Sequence, residues 1–206
     1  MTAHRDRIGS FRRPLHCGTM LVFIDFEASS LGKRGVPIEV AWVFEDGRSE
    51  AHLIHPAPSW TDWDDTAEAI HHIPRDRLVR EGTAHDVVAR RMVAELTGHD
   101  LLASAPSWDG KWLSALLRAA GFDRHTLRLR DSDDAQRECA TAILAPVVPA
   151  DRLTATVGDL LAMTNVRAPG QTPAHRALAD AEDERQCWLA VGQAARTLAK
   201  ELSVAG

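Results

Sequence analysis

The chain has 206 residues, 45% hydrophobic and 26% charged, with a formal net charge of −5. That is enough apolar material for one soluble globular domain, and the acidic balance argues against a generic nucleic-acid coat, because non-specific phosphate binding is dominated by Lys and Arg. No apolar run approaches the roughly 18 residues of a membrane span and the N-terminus lacks the apolar core of a signal peptide, so no membrane association and a cytoplasmic location are expected.

Residues 1–19 carry Arg5, Arg7, Arg12 and Arg13 without hydrophobic period and read as a loose basic tail ahead of one domain over 20–206. From Met20 to Phe26 both alternate sets are apolar, which describes a central strand covered on both faces. Residues 36–45 and 48–55 read as two more strands around Asp46-Gly47, a favoured hairpin turn. The chain then turns helical. Val88, Met92 and Leu96 recur at helical spacing, a short strand is expected near 100–103, and Trp112, Leu113, Leu116 and Leu117 mark the next helix. A last short strand over 127–130 and helices over 133–144, 154–163 and 173–203 complete the pattern, an α/β layered domain without internal repeats. Cys17, Cys139 and Cys187 are odd in number and widely spaced, so neither a disulfide framework nor a thiolate metal site is indicated.

The chemistry resides in carboxylates. FIDFEASS places Asp25 and Glu27 two positions apart on an oily strand, where side-chain alternation puts both on one face. In a chain with 29 acids an Asp-x-Glu pair arises about once by accident, and this chain has two. The second, Asp180-Glu182, lies in the polar stretch DAEDE, whereas Asp25 sits at the end of a buried strand, where an unpaired carboxylate is costly. A pair bonded to backbone or arginine is the structural alternative. In SWDGKWL, Asp109 precedes Leu113 and Leu116 by four and seven residues, which turns it toward the core from the first helical turn. Its structural alternative is a charge complementing the helix N-terminus, worth about 0.3 to 1 kcal/mol. Asp180 shares an apolar stripe with Ala177, Cys187 and Val191, and His175 precedes it by five residues. The other His-x4-Asp pair, His71 and Asp76, contains Pro74 and reads as a loop coincidence.

Taken in order, FIDFEASS, LASAPSWDGKWL and HRALADAEDE resemble the three motifs of the DEDD superfamily of 3′-to-5′ exonucleases in its histidine subgroup, over nearly all of residues 20–195. The chain has no tyrosine, which leaves only the histidine version. The resemblance implies an RNase H-like fold, a five-stranded mixed sheet with helices on both sides. It also implies two divalent cations, Mg²⁺ or Mn²⁺, held by Asp25, Glu27, Asp109 and Asp180. Asp25 would bridge both ions, Glu27 and Asp180 complete one site, and Asp109 act on the second. His175, neutral, would take a proton from the attacking water, so activity is expected to rise with pH through the imidazole range. Catalytic roles thus fall on Asp25, Glu27, Asp109, Asp180 and His175.

Single-strand recognition needs apolar wedges and nearby positive charge. Phe26, Ala28, Ser29 and Leu31 of the first motif and Trp108 of the second are the substrate contacts the resemblance suggests. Lys33 and Arg34 lie in the turn Gly32 to Gly35, where an exposed basic turn is the favoured reading, and Lys111 and Arg176 adjoin motif acids, where they could face phosphate. Trp60 and Trp63 fit packing or stacking, and Glu39 fits a commonly acidic family position. Two departures stand out: Ala28-Ser29-Ser30 where many relatives have Thr-Thr-Gly, and Ser104-Ala105 where a His-Asn pair is common. The expected partner is the 3′ end of single-stranded DNA or RNA, with mononucleotides released and a homodimer left open. The alternatives are a nuclease-fold binding module that does not cut, and a two-metal phosphoesterase of small phosphates.

Overall fold

The computed structural model describes residues 18–164 and 175–205. The expected tail falls almost wholly outside them, as do positions 173–174 of the expected final helix. Strand β1 (Leu21–Ala28) pairs antiparallel with β2 (Pro37–Phe44), which pairs antiparallel with β3 (Ser49–His55). The β2–β3 turn runs through Glu45 to Gly47, closed by the Phe44 amide donating to the Arg48 carbonyl at 2.8 Å. Gly47 takes φ 91°, the left-handed position that a three-residue hairpin loop reserves for glycine.

Two short helices follow, α1 (Asp65–His71) and α2 (Arg75–Glu81), then β4 (Thr83–Ala84) and α3 (His85–Leu96). The Asp64 carboxylate caps α1 by accepting from the Thr66 amide. The chain continues through β5 (Asp100–Ala103), α4 (Pro106–Ala119), β6 (Leu129–Asp131), α5 (Ser132–Leu144), α6 (Ala150–Thr164) and α7 (Ala177–Ala205). Pro106 opens α4, where a missing N–H costs nothing.

The strands form one sheet in the order β4-β3-β2-β1-β5-β6, with β5 parallel to β1 and β6 parallel to β5. The sheet therefore has six strands, not the expected five. The addition is β4, two residues that pair parallel with Ile54 and His55 at the edge. A two-residue strand has no period to read and exists only through its partner.

Strand β1 is the axis of the molecule. One side chain set, Val22, Ile24, Phe26 and Ala28, packs in a core with Val88 and Met92 of α3 and with Leu113 and Leu116 of α4. The opposite set begins with Leu21 and Phe23, and Phe23 packs with Leu102 of β5 and Ala135 of α5 and against Trp188 of α7. Helices thus cover both faces, and the same alternation that buries Phe23 delivers Asp25 and Glu27 to the α7 side. Full burial of side chains this size contributes roughly 1.5 to 3 kcal/mol each, which fixes the register against slippage.

Candidate active site

The C-terminal half of β1 runs out of apolar residues on its α7 face, and acids take their place. Carboxylate oxygens of Asp25, Glu27 and Asp180 all lie within 4.8 Å of one another. Asp180 reaches them from the first turn of α7, where its carboxylate also accepts from the Arg176 amide at 3.2 Å. Asp109 comes from the first turn of α4 and is 3% exposed, on the core-facing side as its spacing from Leu113 and Leu116 predicts.

The electrostatics are those of crowded anions. Burial, then Asp109, Glu27, Asp180 and Glu184, hold the Asp25 carboxyl well above the usual carboxylate range. Burial, followed by the Asp180 and Glu39 charges, pushes Glu27 up to about 8, against the opposing pull of Arg176. Burial pushes Asp109 up to about 7, although backbone amides at Ala105, Phe26 and Asp109 favour its charged form. Three acids that resist ionisation at one point are stabilised by a cation, which restores the charged forms.

The nearby arginine is committed elsewhere. Arg176 donates from Nε and Nη2 to Glu39 at 3.0 and 2.7 Å, and the Ala177 amide donates to the same carboxylate at 3.1 Å. Glu39 is 4% exposed and so acts as a buried anchor for the start of α7. His175, just ahead of this clamp, has φ 48° in the left-handed region, a placement costing on the order of 1 kcal/mol for a side-chain-bearing residue. Among the described residues no hydrogen bond joins His175 to the four acids.

A fifth acid belongs to the group. Along α7, Asp180, Glu184 and Trp188 follow at four-residue intervals, against Glu27, Asp25 and Phe23 on β1. Asp180 meets Glu27, Glu184 acts on Asp25 and Asp109, and the Trp188 ring lies 6.1 Å from that of Phe23. The Ser132 hydroxyl holds Glu184 Oε2 at 2.7 Å. Glu184 sits in the polar run DAEDE; its four-residue distance from both Asp180 and Trp188 is the signal that identifies it.

The expected substrate contacts divide into two groups. Phe26, Ala28 and Ser29 are 4%, 8% and 0% exposed, their side chains packed or bonded internally, so none of the three offers a side chain to a ligand. Leu31 and Trp108 are exposed, at 67% and 41%. Trp108 stacks on Trp112 with centroids 6.0 Å apart, and the Lys111 ammonium lies 5.2 Å from its ring centroid. Trp60 and Trp63 serve packing, Trp60 against the α3–α4 core and Trp63 beside Ile38, Ile73 and Leu78.

The donor set is all carboxylate oxygen, with no thiolate or imidazole among the three clustered ligands, which suits hard divalent ions such as Mg²⁺ or Mn²⁺. Among the described residues no helix is long and apolar enough to cross a membrane.

No protein-family model matches the sequence, and no curated protein matches it. Solved structures do. The zinc-bound E. coli exonuclease I complex with single-stranded DNA is similar with TM-score 0.58 and 18% identity, over 82% of this chain and 39% of that one. E. coli exonuclease I with a dT13 oligonucleotide gives TM-score 0.59 and 18% identity, over 84% and 41%. A moderately thermophilic exonuclease I from Methylocaldum szegediense gives TM-score 0.51 and 17% identity, over 63% and 30%. At such identity the likeness shows the fold, the RNase H-like arrangement of a mixed sheet between helices. The chain spans about two fifths of the E. coli proteins it resembles.

Proposed function

We propose that the protein is a metal-dependent 3′-to-5′ exonuclease of the DEDD histidine subgroup, hydrolysing phosphodiester bonds at the 3′ end of single-stranded DNA or RNA and releasing nucleoside monophosphates. The observation that carries this reading is the meeting of Asp25, Glu27 and Asp180 within 4.8 Å, with buried Asp109 acting on the same point. These acids come from three separate elements, and keeping them charged together costs electrostatic energy that a bound cation offsets.

Bound divalent ions would polarise the attacking water and neutralise charge on the scissile phosphate and the leaving 3′ oxygen. Asp25, Glu27 and Asp180 would hold one such ion, and Asp25 with Asp109 would hold a second. Glu39 and Arg176 fix the start of α7, and with it Asp180 and His175. His175 would accept the proton of the attacking water through a ring nitrogen of the neutral imidazole.

For substrate, Trp108 offers an exposed ring for stacking a base, Lys111 a cation beside it, and Leu31 an apolar edge. The acidic net charge is compatible with this, since bound cations reverse the local sign. Exonuclease I, whose fold this chain shares, is bound to single-stranded DNA in one of the similar structures and to a dT13 oligonucleotide in another.

The test is a time course on labelled single-stranded DNA and RNA, each with a free or a blocked 3′ end, with and without Mg²⁺ or Mn²⁺. Stepwise shortening from the free 3′ end, dependent on the ion, is the expected result. A strand that is shifted but never shortened would identify a binding module. Cleavage of dinucleotides alone would identify a small-phosphate esterase.

A further inference from the structure

The loop that carries Leu31 away from β1 is held from inside by one carboxylate. Asp62 Oδ2 accepts from the Ser29 hydroxyl at 3.2 Å and from the Ser30 hydroxyl at 2.5 Å. Each hydroxyl in turn accepts a loop amide, Val36 onto Ser29 at 3.0 Å and Gly32 onto Ser30 at 3.1 Å. The Asp64 amide donates to the Ser29 carbonyl at 3.0 Å, so the main chain of the Asp62 segment is fastened to the same strand end. Ser29 and Ser30 are buried, and the Asp62 side chain is 17% exposed, so water competes weakly for these bonds.

The loop is also drawn tight on its outer side. A Cβ at Gly35 would stand 2.1 Å from the Ser30 carbonyl oxygen, so this close approach of two main-chain segments requires glycine. Lys111 Nζ donates to the Gly32 carbonyl, tying the loop to the helix that bears Asp109 and Trp108. Leu31 at the tip is 67% exposed, so little packing of its own holds it in place. Its position is set by the network beneath it.

We propose that Asp62 is a positioning residue for substrate: through Ser29 and Ser30 it pre-orders the loop that follows the acid-bearing end of β1 and presents the exposed Leu31 to the 3′-terminal nucleotide. The proposal rests on the exonuclease reading. A loop ordered before binding spares the complex the entropy of ordering it, so Asp62 acts on substrate affinity and leaves the cation-holding acids untouched. The Ala-Ser-Ser sequence after the first motif is then matched to Asp62, each serine donating to the same oxygen.

Three variants test this. Asp62→Ala is expected to raise KM for a single-stranded oligonucleotide about tenfold, the loss of a hydrogen-bonded charge, while kcat stays within about twofold. Mn²⁺ binding measured by calorimetry is expected to be unchanged. Asp62→Asn, whose amide oxygen still accepts both hydroxyls, is expected to restore KM. Ser30→Ala removes the hydroxyl that donates to Asp62 and accepts from Gly32 but keeps both Ser29 bonds, so it covers the case in which Asp62→Ala does not fold; it should raise KM less. An unchanged KM in Asp62→Ala or Ser30→Ala, an Asn variant no better than the Ala variant, or a fall in kcat at constant KM would overturn the role. If the wild-type protein cuts nothing, the exonuclease reading falls by itself. The loop is then judged by oligonucleotide anisotropy in Ca²⁺ and by amide exchange at Gly32 and Val36. Weaker binding with faster exchange in Asp62→Ala upholds the role, and unchanged binding overturns it.

Discussion

Glu27 on β1 and Glu39 on β2 are register partners across the antiparallel ladder, yet one is left to crowd with acids and the other is clamped by Arg176. The contrast separates two uses of a carboxylate within one strand pair. Glu39 is satisfied by three N–H donors and stabilises the fold, whereas Glu27 is held up near 8 by burial and by Asp180 and Glu39.

Removing the clamp should therefore harm both stability and the site. Arg176→Gln leaves Glu39 charged, buried and short of a partner, a change that costs about 3 to 5 kcal/mol in a fully buried pair. Arg176 is 43% exposed on its side chain, and solvent screening reduces the loss to about 1 to 3 kcal/mol. Thermal melts should show Tm lowered by about 2 to 4 °C for each kcal/mol. A melt identical to wild type would remove Glu39 and Arg176 from the anchoring of α7.

The acidic centre makes the opposite prediction. Asp109 is pushed up to about 7 by burial, whereas the unfolded chain releases this proton near 4. The folded state thus binds more protons between those values, and the metal-free protein loses stability as pH rises through that window. Asp109→Asn should match wild type near pH 4 and melt several degrees higher at pH 8, on the scale of about 2 to 4 °C per kcal/mol. Glu184→Gln should act in the same direction, since Glu184 raises both Asp25 and Asp109. Divalent cations should raise the Tm of wild type at pH 8 and do so less in Asp109→Asn. A variant that is destabilised at pH 8 without metal would show that Asp109 is a structural cap.

His71 supplies a second pH dependence, of reversed sign. Its ring is 2% exposed, Nδ1 accepts the Ile73 amide at 3.0 Å, and burial lowers its pKa. The unfolded chain takes up a proton at ordinary imidazole pH and the folded chain only below it, so this contribution is present at neutral pH and is lost as pH falls. His71→Asn keeps an acceptor for Ile73 and does not titrate. The Tm difference between wild type and this variant should shrink as pH drops from 7 to 5, and a constant difference would rule the effect out.

Much of this architecture was readable residue by residue. Strand β5 falls at 100–103 as expected, the glycine of Asp46-Gly47 takes the left-handed turn position, and Asp109 is buried by the spacing that relates it to Leu113 and Leu116. What periodicity could not supply was convergence, because Asp25, Asp109 and Asp180 are brought together only by the β1–β5 pairing and by α7 crossing the sheet. Glu184 and Asp62 escaped for a related reason. Both lie in polar runs, DAEDE and SWTDWDD, where a solvated acid is the ordinary outcome, and their partners Ser132, Ser29 and Ser30 are distant in sequence.

The central claim is that acids from separate elements hold divalent ions that cut a strand from its 3′ end. The most direct measurement compares wild type with Asp25→Asn on one 5′-labelled single strand in saturating Mn²⁺ at pH 8. Wild type should shorten the strand stepwise from the 3′ terminus, and the variant should be at least about a hundredfold slower, the scale of losing one major transition-state interaction. Equal rates in the two proteins, or a strand left intact by wild type, would contradict it.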